Sequence, residues 1–236
     1  MKAIIFDVDG TLAETERDGH RVAFNLAFAE AGLDWDWDAA LYGELLAVTG
    51  GKERIRYYVE RYRPEVARRP DFDLLVKTLH ETKTRHYVRL VAEGALPLRP
   101  GVATLIDEAR SAGLTLAIAT TTTPENVTAL LRATLGTDAE SWFAVIGAGD
   151  IVPKKKPAPD IYLWVLARLG LPAADCLAIE DSANGLQSAL AAGLSTLVTP
   201  GIYTAGEDFT GARAVLPGLV GITLATIETY ASNQKV

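Results

Sequence analysis

Asp7 and Asp9 stand two residues apart in Asp7-Val8-Asp9-Gly10-Thr11, directly behind the apolar run Ala3-Ile4-Ile5-Phe6. Such a run reads as a strand buried on both faces of a parallel sheet, so both carboxylates emerge at the carboxyl edge, where α/β proteins hold their ligands. An Asp-x-Asp-Gly string also occurs in plain turns and opens calcium loops of the EF-hand kind, but the further acidic ligands of such a loop do not follow at its spacing. Three more polar groups fall behind or between apolar runs in the same way. They are Thr120-Thr121-Thr122 behind Leu116-Ala117-Ile118-Ala119, Lys154-Lys155-Lys156 ahead of Pro157, and Glu180-Asp181-Ser182 behind Leu177-Ala178-Ile179. Taken singly, threonines cap helices, a lysine triplet is a solvated loop, and Glu-Asp-Ser is an acceptable helix start. Taken together, the right-handed crossover rule brings them to the edge that carries Asp7 and Asp9.

The four carboxylates of Asp7, Asp9, Glu180 and Asp181 cannot share one crevice uncompensated, because like charges at close range repel and force protonation. A hard divalent cation removes the conflict. Magnesium takes oxygen ligands, commonly one or two carboxylates with water and a substrate phosphate, and its charge allows a phosphate dianion to approach an aspartate. Thr120 and the backbone amides near Val8 and Thr121 are then suited to hold phosphoryl oxygens, while Lys156 offsets charge on the phosphoryl group and the aspartate.

The elements that must position these groups follow from the pattern of apolar residues. Behind the first strand, Ala23, Leu26, Ala27, Glu30 and Ala31 recur at helical spacing until Gly32. Further helical patterns cover about 38 to 49, 51 to 62 and 71 to 93, with no convincing alternating strand among them. This stretch is expected to be an all-α insertion, entered through Ala13-Glu14-Thr15 and left through the Pro- and Gly-rich segment 94–101. From residue 101 the pattern alternates. Helices are expected over Val102–Ala112, Pro124–Leu135, Pro159–Leu169 and Ala183–Ala192, with strands at Leu114–Ala119, Trp142–Ile146, Cys176–Ile179 and Ser195–Val198. Repeated strand, helix, strand means a parallel sheet with helices on both faces, and the insertion is expected to sit over its carboxyl edge as a lid.

With 236 residues, 49% of them hydrophobic, the chain can bury a sizeable α/β core. No apolar run approaches the roughly 20 residues of a membrane helix, and with Asp7 so near the first residue no presequence is expected ahead of it. A formal net charge of -7 argues against a general nucleic-acid or anionic-membrane surface. Residues 17 to 95 balance 13 Lys or Arg against 13 Asp or Glu, so the acidic excess lies outside the helical stretch. The single cysteine, Cys176, sits in an apolar run; it excludes an intrachain disulfide, suits a reducing, cytoplasmic setting, and reads as core.

In combination, Asp7-x-Asp9-Gly10-Thr11, Thr120 behind an apolar strand, Lys156 before a proline and Glu180-Asp181 behind another strand resemble the four motifs of the haloacid dehalogenase-like hydrolase superfamily. The resemblance covers nearly the whole chain. It implies an α/β fold: a Rossmann-like core at 1–15 and 96–236, with an all-α cap at 16–95 inserted after the first strand. It further implies that Asp7 is a nucleophile forming an aspartyl-phosphate, and that Asp9 protonates the leaving oxygen and then activates water. By the same resemblance Asp7, the backbone carbonyl of Asp9, and Asp181 bind Mg2+, with Glu180 acting mainly through a coordinated water, and Thr120, Thr121 and Lys156 hold phosphate. Dehalogenases of the superfamily lack the second aspartate, because their leaving group needs no proton; Asp9 therefore argues for phosphoryl transfer. It does not separate phosphatase from phosphomutase, since a mutase needs the same acid and base but must shield its phospho-enzyme from water.

Substrate choice is expected to lie in the insertion. The stretch 14–21 is polar, with Glu16 and His20 beside the entrance to the insertion, and reads either as a solvated helix start or as substrate-facing. Thr49-Gly50-Gly51-Lys52-Glu53-Arg54 reads either as an ordinary turn or as an anion cradle, with Gly51 at a helix start and Lys52 and Arg54 as cations. Trp35, Trp37 and Tyr42 read as packing, with the Tyr42 hydroxyl available to a sugar; His80 and His86 read as surface or packed histidines. The strings 14–25, 49–54 and 119–127 look like the CbbY branch of the superfamily. That likeness implies a phosphatase acting on xylulose-1,5-bisphosphate, a misfire product inhibitory to Rubisco in the Calvin cycle, in bacterial cytoplasm or plastids. The partner expected is thus a small phosphorylated sugar, with no nucleic acid, membrane or obligate protein partner. A β-phosphoglucomutase-like phosphomutase and a noncatalytic sugar-phosphate-binding protein are the competing readings.

Overall fold

The computed structural model describes residues 1–232. Its chain divides into two compact units, one built from Met1–Glu14 and the chain from Pro97 onward, the other from Thr15–Leu96. The first unit opens with strand β1 (Ala3–Phe6), whose four residues are all fully buried. An unbroken apolar run is what a strand covered on both faces requires.

The second unit is helical throughout. A π-helical turn at Glu16–His20 leads into α1 (Arg21–Glu30), followed by α2 (Ala39–Leu45), α3 (Gly51–Tyr62), α4 (Pro64–Ala67) and α5 (Phe72–Ala92). Helix α2 stops earlier than the apolar spacing predicts, in turns that precede Gly50, whose φ of +100° takes the chain out of helical geometry. Helix α4, not anticipated, starts on Pro64, whose fixed φ suits a first helical turn. The unit's core is aromatic: Phe24 and Phe28 meet Trp37 at centroid distances of 4.7 and 4.8 Å, and Tyr58 meets Trp35 and Trp37 at 5.3 Å. A unit this small gains much of its buried apolar area from such rings.

The remainder of the first unit alternates helix and strand: α6 (Val102–Ser111), β2 (Thr115–Ala119), α7 (Pro124–Leu135), β3 (Phe143–Gly147), α8 (Asp160–Leu169), β4 (Cys176–Glu180), α9 (Ala183–Ala191), β5 (Ser195–Val198), β6 (Ala214–Val215) and α10 (Leu224–Ser232). The strands form one parallel sheet in the order β3-β2-β1-β4-β5-β6. Strand β6 and helix α10 have no counterpart in the sequence reading; a strand of two residues carries no periodicity to detect. On one sheet face Ala117, Ala119 and Ala178 pack with Ile5 against Ile161, Tyr162, Val165 and Leu166 of α8. Small strand residues let that helix approach closely. No helix among the described residues is long and apolar enough to cross a membrane.

Ile5 is fully buried on the central strand, in register with Ala117 on one side and Ala178 on the other. Ile5→Ala is expected to lower the unfolding free energy by about 2–5 kcal/mol, read as an earlier urea midpoint at unchanged slope. A midpoint equal to that of the parent chain would contradict this account of the core.

Candidate active site

Register builds the site. Strand β1 pairs with β2 through Phe6↔Ile118 and with β4 through Phe6↔Ile179, so Asp7 is level with Ala119 and Glu180, and Thr120 and Asp181 lie one step beyond. The Asp7 amide continues the ladder by donating to the Ile179 carbonyl at 3.0 Å. Lys156, 5% exposed, reaches in from the loop ahead of α8 and donates to both Asp7 Oδ1 (2.7 Å) and Glu180 Oε1 (2.6 Å). The Tyr162 hydroxyl donates to the same Glu180 oxygen, and its ring lies 5.2 Å from the Lys156 ammonium. The lysine triplet divides: Lys155 pairs with Asp150 at 2.6 Å, and Lys156 alone of these two enters the acidic cluster.

Carboxylate oxygens of Asp7, Glu180 and Asp181, all buried, lie within 4.8 Å of one another. The Asp7 carboxyl is raised to about 7: burial is the largest cause, Glu180 and Asp9 add to it, and Lys156 works against them. For Lys156 burial works against the charge, yet the Asp7 and Glu180 carboxylates outweigh it and hold the ammonium well above its ordinary value. Burial, with the neighbouring Glu180 carboxylate, likewise raises the Tyr162 hydroxyl well above its usual range, so it stays a donor. Three carboxylates facing one ammonium leave two negative charges to neutralise.

These residues fit a hard divalent cation. The donor set is all oxygen, as magnesium prefers, and its residual charge equals that of one such ion. Glu180 Oε2 is buried with no hydrogen-bond partner among the described residues, a lone-pair site left to be satisfied. Gly10, at φ +84°, brings its backbone so close to Asp181 that a Cβ there would lie 2.1 Å from Asp181 Oδ2.

Thr120 is buried behind β2, and its hydroxyl accepts the Thr122 amide at 3.2 Å, while Thr121 is half-buried beside it. Asp9 is half-buried in the turn that begins the loop. Its carboxylate is not among the clustered oxygens; the ligand expected from Asp9 was its backbone carbonyl.

The remaining sequence-predicted residues, Glu16, His20, Tyr42, Gly51, Lys52 and Arg54, all lie in the helical unit. Arg54, 7% exposed, donates to the Tyr42 hydroxyl at 2.7 Å, and that hydroxyl donates to Glu16 Oε2 at 2.5 Å, so the Tyr42 oxygen is a bridge between cation and anion. His20 stacks on Tyr87 at 4.2 Å and meets the Lys83 ammonium at 2.7 Å through Nδ1. Gly51 opens α3, close against His80, and Lys52 is half-buried beside it. His86 pairs with Glu30 at 2.8 Å. Cys176 is buried in the core, and burial with the nearby Asp175 pushes its thiol up to about 11, which removes it from nucleophilic chemistry at neutral pH.

Sequence reasoning missed Tyr162, Lys83 and Arg99. The first two left a signal. Lys83 occurs among Val76, Leu79, Tyr87 and Val91, a cation on the buried stripe of α5, and Tyr162 is a hydroxyl on the buried stripe of α8. A polar group on such a stripe has a partner elsewhere in the fold.

A profile of the haloacid dehalogenase-like hydrolases matches residues 1–193. The CbbY protein encoded on a plasmid of Cupriavidus necator is 58% identical over 219 residues, covering 93% of this chain and 86% of that one. The crystal structure of CbbY from Rhodobacter sphaeroides in complex with phosphate superposes with a TM-score of 0.90 at 48% identity, covering 97% of this chain and 99% of that chain. A mutant of the same Rhodobacter protein in complex with xylulose-1,5-bisphosphate gives 0.89 at 48% identity, covering 96% and 98%.

Gly10 and Gly113 both have positive φ, +84° and +74°, but only Gly10 has a neighbour within 4 Å of an added Cβ. Both alanine variants are expected to lose about 1–2 kcal/mol of stability through the left-handed backbone. Gly10→Ala alone is expected to lose magnesium affinity, by at least about tenfold (1.4 kcal/mol), read by calorimetric titration. Equal affinities in the two variants would separate Gly10 from the acidic cluster.

Proposed function

This chain belongs to the haloacid dehalogenase-like hydrolase family, and on that footing we propose that it is a magnesium-dependent phosphatase of sugar bisphosphates. The substrate we assign is xylulose-1,5-bisphosphate, hydrolysed to xylulose-5-phosphate and phosphate. The observation that carries the reading is the buried Lys156 ammonium joining Asp7 to Glu180, with Asp181 in the same cluster. Support for the substrate comes from the Rhodobacter sphaeroides relative, whose mutant was crystallised with that bisphosphate.

In this reading a carboxylate oxygen of Asp7 attacks phosphorus in line with the sugar oxygen, the bond to that oxygen breaks, and Asp9 delivers the proton the departing alkoxide needs. Asp9, now a carboxylate, takes a proton from water as the water oxygen attacks phosphorus. The bond between phosphorus and Asp7 breaks, phosphate departs, and both aspartates return to their starting states. Lys156 fixes the Asp7 side chain and offsets negative charge at the reacting phosphoryl group, and Thr120 with the amide of Thr121 holds its oxygens. A magnesium ion held by Asp7, Glu180, Asp181 and the Asp9 carbonyl would supply the positive charge against which a phosphate dianion and an aspartate come together.

Recognition of the second phosphoryl group is assigned to Lys52 and Arg54, and of the sugar to Glu16, His20 and Tyr42, with Gly51 at the start of α3 where His80 packs against its backbone. The opposed charges of Arg54 and Glu16 about the Tyr42 hydroxyl give this group both donors and acceptors for a polyol phosphate.

Release of inorganic phosphate from xylulose-1,5-bisphosphate is the test. Asp7→Asn is expected to lower kcat by at least about 10³-fold, and chelation of divalent metal to abolish turnover until magnesium is restored. Full activity in Asp7→Asn, or in excess chelator, would overturn the reading; recovery of the phosphate at a new position of the sugar would make the protein a mutase. Lys52→Ala and Arg54→Ala are expected to reduce kcat/KM for the bisphosphate by about 10- to 100-fold, from loss of a charged hydrogen bond, with a far smaller effect on a small monoester. Equal losses on both substrates would remove these two residues from phosphate recognition.

A further inference from the structure

Arg99 lies just beyond the helical unit in sequence, and its side chain is 12% exposed. Its nearest carboxylate is only loosely engaged: Nε stands 3.4 Å from Glu14 Oε1. The guanidinium is instead directed at backbone. Nη1 donates to the Gly10 carbonyl and to the Thr199 carbonyl (2.6 Å), with the Thr199 hydroxyl at 3.3 Å, and Nη2 donates to the Pro200 carbonyl at 2.9 Å. The planar fork of five donors is suited to holding several acceptors in fixed relation. Here it ties the loop behind β1 to the loop behind β5.

The loop behind β1 is already closed on itself. The Val8 carbonyl accepts the amides of Thr11, Leu12 and Ala13, and the Gly10 amide donates to the Ala13 carbonyl at 2.8 Å. The Arg99 amide donates to the Leu12 carbonyl at 2.8 Å, which docks the arginine's own backbone on the same loop. The Gly10 carbonyl is the handle by which the tight turn is held from outside, and Asp9 is the residue before it. Gly10 also meets Asp181.

We propose that Arg99 is a positioning residue for proton delivery to the departing oxygen: through the Gly10 carbonyl it fixes the Gly10–Thr11 peptide, one unit beyond Asp9, and so holds the turn that places the Asp9 carboxylate. The proposal rests on the assignment of Asp9 as the acid. A misplacement of about 1 Å can cost on the order of 10²-fold in rate, and the loss falls on the step that needs the proton. Arg99 makes no contact with the clustered carboxylates and need not touch substrate.

The test compares two esters that differ in their need for an acid. p-Nitrophenyl phosphate departs as a stabilised phenolate, whereas a sugar phosphate departs as an alkoxide that must be protonated. Arg99→Met, which keeps the stem and removes every donor, is expected to lower kcat on the sugar phosphate about 10- to 100-fold more than on the aryl ester. Arg99→Lys keeps the charge but replaces the planar fork, whose two terminal nitrogens divide the carbonyls between them, with a single nitrogen, and is expected to show the same bias at a melting temperature near the parent's. Asp9→Asn should show the bias more strongly, and adding Arg99→Met to it should cost the sugar phosphate little more. A general structural role for Arg99 would lower both esters equally, or add in full to Asp9→Asn, and either result overturns the proposal. If Asp9→Asn shows no bias while Arg99→Met does, the assignment of Asp9 fails instead; if neither does, both fail.

Discussion

A lysine ammonium buried between two carboxylates, Lys156 between Asp7 and Glu180, is the interaction on which the site depends. Removing three ions from water is expensive, and only close, multiple contacts offset it. The fold meets that demand with rigid parts. Parallel pairing of β1 with β4 sets Asp7 and Glu180 side by side, and α8 supplies the Tyr162 hydroxyl to the same Glu180 oxygen that Lys156 holds. None of these groups has a surface rotamer to escape to. Their geometry is fixed before any ligand arrives, which is the condition for electrostatic catalysis in a low-dielectric site.

The charge count is what makes the site suited to a metal ion. One ammonium cannot balance three clustered carboxylates, and the Asp7 carboxyl is raised first by burial and then by its acidic neighbours Glu180 and Asp9. A carboxyl that retains a proton is a poor nucleophile, so a cation held there would both attract a phosphate and favour the ionised form of Asp7. The helical unit solves a different electrostatic problem. There Arg54 is matched by Glu16 across a tyrosine hydroxyl, and Lys83 is placed against His20 and the faces of Phe24 and Tyr87. Cations kept in an aromatic, half-dry setting remain strong donors toward an anion.

Much of the core was legible because its signals are local. Continuous apolar runs disclosed the buried strands, and the polar residue behind each run disclosed the catalytic edge, since crossover handedness leaves little freedom in where those residues meet. Asp7, Lys156, Glu180 and Asp181 could therefore be gathered from positions far apart in the chain. What escaped had a weak local pattern or none. Strand β6 has two residues, and Arg99 lies in a Pro- and Gly-rich linker and acts on a carbonyl 89 residues away. Tyr162 looked like one more apolar member of a helix because its role is carried by a single atom. In the helical unit the sequence showed which residues are polar, but the bridge through the Tyr42 oxygen depends on how three separate segments, around Glu16, Tyr42 and Arg54, fold onto one another.

The small residues lining one sheet face extend the site beyond its polar members. Ala117, Ala119 and Ala178 share one buried cluster with Tyr162, and their small side chains set how deeply α8 settles on the sheet. A larger side chain in this cluster would lift the helix and carry the phenol away from Glu180. Side-chain size at these positions is thus restricted by chemistry as well as by packing.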